Sequence, residues 1–163
     1  MAVLSVDKDP VANTMTVTSH FNASVERVWQ VWQDPRLLER WWGPPTYPAT
    51  VVDHDLTPGG TVTYFMTSPE GERYRGWWRI RSVEAPHRLE FEDGFADDTG
   101  TPNPDMPVTI VRVTIEDRAG GGTQMTIEST FASADAMQQL VEMGMEDGLS
   151  AAMGQIEAIL ANG

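Results

Sequence analysis

From residue 46 to residue 131 apolar side chains recur at every second position almost throughout, the period of strands that bury one face. The runs are 51–56, 61–67, 73–83, 88–93, 108–117 and 124–131. Between them lie Pro58-Gly59-Gly60, Pro69-Glu70-Gly71, Ala85-Pro86, a long loop, and Gly120-Gly121-Gly122. Short alternating runs joined by such turns predict an antiparallel meander. An earlier run, 14–21, alternates in the same way, with Met15, Val17 and Phe21 on one side. One face of the sheet therefore gathers residues such as Val62, Tyr64, Trp78, Leu89, Phe91 and Ile127. The other carries Arg79, Arg81, Glu90, Glu92, Gln124 and Glu128.

The period changes to that of a helix in two places. Ser24 is a helix N-cap with Glu26 in the first turn, followed by Val25, Val28, Trp29 and Trp32 at helical spacing. Asp34-Pro35 breaks this helix and starts a second short one over 36–42, which Gly43-Pro44-Pro45 ends. From Ser133 to residue 161 there is no proline, and Met137, Leu140, Val141, Met145, Leu149, Ala152 and Ile156 fall near a 3.6-residue spacing. A single helix of that length spans roughly 40 Å, enough to lie across the apolar face of the sheet. Gly144, Gly148 and Gly154 within it imply close packing or a bend. The fold class predicted is α+β: a curved antiparallel sheet of about seven strands around a long C-terminal helix, with two short helices after the first strand. Residues 1–13 read as a loose leader, because Asp9-Pro10 and Asn13 interrupt any period, and 14–163 as one domain.

Composition narrows the partners. The chain has 163 residues and a formal net charge of −13, with basic residues scattered singly, so it repels phosphate backbones and anionic lipid. Neither a nucleic-acid nor a membrane role is expected. The opening stretch lacks the basic and apolar regions of a secretory signal, so a cytoplasmic location is expected. The absence of cysteine excludes disulfide scaffolds, thiolate metal sites and cysteine nucleophiles.

Candidate chemistry is sparse. His20, His54 and His87 have no metal-ligand spacing, and alternation sends His54 away from Asp53 and Asp55. No nucleophile elbow and no phosphate loop occurs, because Gly120-Gly121-Gly122 lacks the following lysine and hydroxyl residue. The acidic loop 93–107 lacks the ligand order of a calcium loop and reads as solvated. No catalytic set, metal or cofactor is assigned, and the enzyme question stays open with a lean towards none. The aromatic and methionine positions are more informative. Trp41, Trp42, Tyr64, Met66, Trp78, Phe91, Met125 and Met145 either fill a core or line a cavity between sheet and long helix, with Trp41 or Trp42 near its mouth.

The element order resembles the helix-grip fold of the START and birch-pollen-allergen superfamily. Ser24-Val25-Glu26-Arg27-Val28-Trp29, Asp34-Pro35 and Arg40-Trp41-Trp42-Gly43-Pro44 are similar to the opening signature of one family in it. That family is related to the activator of the ninety-kilodalton heat-shock protein's ATPase. Asp55-Leu56-Thr57-Pro58-Gly59-Gly60, Gly76 with Ile80, Pro86-His87-Arg88-Leu89 and Gly144-Met145-Glu146-Asp147-Gly148-Leu149 continue the match over residues 14–161. The loop 93–107 is longer than the family's usual hairpin. The resemblance implies three functions: binding of an apolar or aromatic small molecule, which leads here; a chaperone-contacting interaction module; and a cyclase or hydrolase using the cavity. A binder needs an open cavity with few titratable groups, an adaptor a filled core and an exposed patch, and an enzyme at least two polar groups converging inside. The chain is expected as a monomer or a homodimer, with Trp77 on the outer face as one anchor.

Overall fold

The computed structural model describes residues 3–161 and contains one antiparallel sheet of eight strands. In chain order these are β1 (Val3–Asp9), β2 (Thr14–Phe21), β3 (Ala49–His54), β4 (Thr61–Thr67), β5 (Arg73–Glu84), β6 (Arg88–Ala96), β7 (Thr109–Asp117) and β8 (Thr123–Thr130). Their order across the sheet is β1-β2-β8-β7-β6-β5-β4-β3. The meander β3 to β8 is thus continuous, and β2 closes against β8 with Val17 opposite Ile127.

The expected loose leader is corrected: Val3–Asp9 is an edge strand paired with β2, Val6 facing Val17 and Asp9 facing Thr14. Met1 and Ala2, like Asn162 and Gly163 at the other end of the expected domain, lie outside the described residues. The residues that interrupt the period are the hairpin turn itself. The Asp9 carboxylate accepts from the Val11 and Ala12 amides at 3.0 and 3.1 Å, and Asn13 takes the left-handed conformation with φ 58°.

Helix α1 (Val25–Gln33) starts at Ser24, whose hydroxyl accepts from the Arg27 amide, and α2 (Pro35–Trp41) starts at Asp34, whose carboxylate accepts from the Arg36 amide. Pro35 in the first turn needs no amide partner, which is why the two helices can share one boundary residue. The C-terminal segment departs from a single helix. It divides into α3 (Ala134–Glu142) and α4 (Met145–Ala161), with Gly144 between them at φ +90°, a conformation that ends α3 and redirects the chain. Gly148 and Gly154 do not serve close packing, since a Cβ at either would meet nothing within 4 Å.

The inner face of the sheet and the inner faces of all four helices form one core, including Val28, Trp32, Trp78, Phe91, Met153 and Ile156. Arg27 of α1 donates to the Leu160 carbonyl at the end of α4, and Gln155 of α4 donates to the Gly43 carbonyl at 2.7 Å. The outer face is wet as alternation requires: Arg112 bridges Glu90 and Glu128 at 2.6 and 3.5 Å. Trp77 lies on that face, half-buried beside Gly94, and donates to the Phe95 carbonyl at 3.0 Å.

Candidate functional site

The aromatic and methionine residues expected around a cavity divide into two groups. Trp41, Trp78, Phe91 and Met125 have essentially no exposed surface, belong to the core beneath, and are absent from the cavity wall. Trp78 stacks on Phe91 with ring centroids 4.1 Å apart, and Trp32 meets Trp41 edge-on at 4.8 Å. Trp32 also donates its indole N–H to the Met125 sulfur at 3.3 Å. This packed aromatic layer fills the end of the fold where α1 and α2 meet the sheet. For those four residues the lining expectation is replaced by core filling.

Trp42, Tyr64, Met66 and Met145 do line a cavity of about 300 Å³ between the sheet and the C-terminal helices. Its floor comes from Val111 on β7 and Ile127 on β8, its roof from Leu140 on α3 and from Met145 and Leu149 on α4. The break between α3 and α4 sits on its rim, where Met143 is 56% exposed. Gly144 itself is among the residues that line the space.

Thr109 and Ser129 add hydroxyls to the mostly apolar wall, and Tyr64 and Asp93 form a polar pair in it. Tyr64 donates its phenolic hydroxyl to the Asp93 carboxylate, Oδ1, at 3.4 Å. Gly76, directly opposite Tyr64 on β5, makes this arrangement fit, because a Cβ there would overlap the phenol oxygen. The indole N–H groups of Trp42 and Trp78 are buried, and neither has an acceptor in hydrogen-bond geometry among the described residues. Burial pushes the Tyr64 hydroxyl well above its ordinary pKa, with the Asp93 charge adding to the shift, so it stays protonated. Burial also pushes the Asp93 carboxyl up to about 7, against the opposing effect of the Tyr64 hydrogen bond.

Asp93 ends the alternating run 88–93 and opens the acidic loop 93–107 in the sequence; the structure places it within β6, half-buried and facing the cavity, and corrects its assignment to a solvated loop. The parity that turns Leu89 and Phe91 inward turns Asp93 and Phe95 inward too, and the strand continues to Ala96, beyond the run 88–93. The remainder of the acidic loop behaves as a turn. The Asp97 carboxylate accepts from the Thr99 hydroxyl and from the Thr99 and Thr101 amides, which holds it below the ordinary carboxylate range. The histidines are each tied to the protein. His54 donates to the Trp32 carbonyl at 2.9 Å, His87 to the Ile115 carbonyl at 2.8 Å, and His20 pairs with Gln124 at 2.9 Å.

A curved antiparallel sheet closed by C-terminal helices over an internal space defines a helix-grip domain. The chain belongs to the family described as activator of Hsp90 ATPase homolog 1-like protein, whose model matches residues 22–161. No curated protein matches it. Among solved structures it is similar to a Mycobacterium smegmatis protein determined by crystallography, with 51% identity, 97% of this chain and 96% of that one covered, and a TM-score of 0.89. A solution structure of an Arthrobacter aurescens protein shares 50% identity over 99% of this chain and 93% of that one, with a TM-score of 0.93. The AHSA1 protein of Silicibacter pomeroyi shares 22% identity over 91% of this chain and 97% of that one, with a TM-score of 0.73, a likeness of fold. Among the described residues no helix is long and apolar enough to cross a membrane.

Proposed function

We propose that the protein binds a small, largely apolar molecule in the space between the sheet and α3–α4. The observation that carries this reading is the cavity itself. About 300 Å³ is left open beside a densely packed aromatic layer, and its wall is mostly apolar, with Tyr64, Asp93, Thr109 and Ser129 as its polar side chains. That is the size and lining of a small-ligand site. Membership of a helix-grip family supports a ligand-binding domain in general, and its name alone supports contact with a chaperone. Titration with the neutral fluorophore 1-aminoanthracene tests the reading. Saturable emission gain is expected with the parent and loss of it with Val111→Phe, which fills the floor. Absence of saturable binding to the parent, or undiminished binding to a Val111→Phe protein that still melts cooperatively, defeats it.

A second reading rests on the Tyr64–Asp93 pair, since two polar groups converging inside are what an enzyme of the cyclase or hydrolase kind requires. A carboxyl poised near neutrality can give or take a proton there. Conversion of a bound molecule by the parent and its loss in Asp93→Asn would favour this reading. Unchanged recovery of every bound molecule would defeat it.

A further inference from the structure

The wall of the cavity contains one charged side chain and no counter-ion. Asp93 is the sole carboxylate among the lining residues, and no lysine, arginine or histidine lines the space on β4, β6, β7, β8, α3 or α4. Tyr64 is the only other titratable group facing it, and it offers a single hydroxyl at the long distance of 3.4 Å to Oδ1. Among the described residues the Tyr64 hydroxyl, on Oδ1, is the side-chain partner of the Asp93 carboxylate. A half-buried carboxylate with one weak partner is an incomplete ion site, because a charge taken from water is ordinarily paired.

We propose that the cavity is built for an amphipathic cation: a protonated primary amine on an apolar or aromatic body, its ammonium on Asp93. This deepens the ligand-binding reading above and rests on it. Three features fit that class better than a neutral or anionic one. The carboxylate has already lost much of its hydration in the free protein, so an ammonium meets an acceptor that needs little further desolvation. The rings of Trp42 and Tyr64, 6.0 Å apart and edge to face, supply the π surfaces that stabilise a cation beside the ion pair. The net charge of −13 raises the concentration of cations at the surface and lowers that of anions. The apolar body then lies against Val111, Ile127, Leu140 and Leu149. Tyr64 keeps its hydroxyl on Oδ1 and leaves Oδ2 for the ligand, acting as a positioning residue.

Three naphthyl probes separate the alternatives: 2-naphthylmethylamine, its near-isostere 2-naphthalenemethanol, and the anionic 2-naphthoate, with naphthalene as the polar-group-free reference. In the parent at pH 8 the amine is expected to bind roughly tenfold or more tighter than the alcohol, as a charge-assisted contact requires, and the carboxylate weakest. The amine should weaken as the pH falls from 8 to 6 and Asp93 takes up a proton, while the alcohol should not. Asp93→Asn, which keeps the side-chain shape, should reduce the amine-to-alcohol ratio to about one without loss of naphthalene binding. Equal binding of amine and alcohol to the parent overturns the cation assignment and leaves the cavity reading standing. So does a preference for amine that survives in Asp93→Asn. Failure of all four probes to bind a folded parent overturns both.

Discussion

Burial lifts the Asp93 carboxyl from an ordinary value of 3.8 to about 7, and this makes the residue a cost to the fold as well as a feature of the cavity. Between those two values the folded state holds more protons than the unfolded state, so this group's effect on stability declines as pH rises from about 4 to about 7 and levels off above. Asp93→Asn removes the titration. Relative to the parent, it should gain stability with rising pH, by up to ~4 kcal/mol from a shift of about three pKa units, an upper limit for a half-buried group. Thermal melts of both proteins at pH 5 and pH 8 check this, and a difference in melting temperature that stays constant with pH would refute it. Trp78 belongs at the same scale. It has no exposed surface and stacks on Phe91, so Trp78→Ala should cost about 3–5 kcal/mol and lower the melting temperature by roughly 10 °C. A drop of a degree or two would return Trp78 to the cavity wall.

At the scale of elements, three glycines of the C-terminal segment have different roles that their identity alone conceals. Gly144 has φ +90°, so Gly144→Ala should destabilise by about 1–2 kcal/mol and disturb the cavity rim. Gly148 and Gly154 are helical with open space around a Cβ, so Gly148→Ala and Gly154→Ala should each stabilise by roughly 0.5–1 kcal/mol. Denaturant midpoints of the three variants decide the assignment; stabilisation by Gly144→Ala would contradict the observed break. The sequence carries the strands well, because alternation is a local property that a turn at each end makes readable, as 61–67 shows against Thr61–Thr67. It carries the helix break poorly. The apolar stripe continues through Met143-Gly144-Met145, and only the backbone angle at Gly144 separates α3 from α4. The site was legible where parity sufficed, as for Tyr64 and Met66. It was not legible where depth decided, because Trp78 and Phe91 share the inward parity of Tyr64 but lie under it in the aromatic layer. Asp93 shows a different failure: it ends the run 88–93 with inward parity, but its acidic neighbours Asp97 and Asp98 also make it read as the start of a solvated loop.

For the whole molecule, the C-terminal helices are what make the sheet a closed structure. The inner face of β2 and β4 to β8 is predominantly apolar, with Met15, Val62, Trp78, Phe91, Val113 and Ile127 all buried. Helices α1 and α2 cover one end of it, and Met137, Leu140, Ala152, Met153, Ile156 and Leu160 supply the remaining cover. Several of these side chains each contribute about 1.5–3 kcal/mol on burial, together comparable to the ~5–15 kcal/mol that separates folded from unfolded states of an ordinary domain. A chain ending at Ala132 retains every strand pairing but loses that cover, together with the Arg27–Leu160 and Gln155–Gly43 ties that fix α1 and α2 to it. It should therefore melt without a cooperative transition, bind a polarity-sensitive dye non-saturably, and associate through the uncovered face. Differential scanning calorimetry and sedimentation of the shortened chain test this together. A sharp transition near the full-length temperature in a monomeric shortened chain would mean that the sheet is stabilised from elsewhere, and that α3 and α4 act only as the movable roof of the cavity.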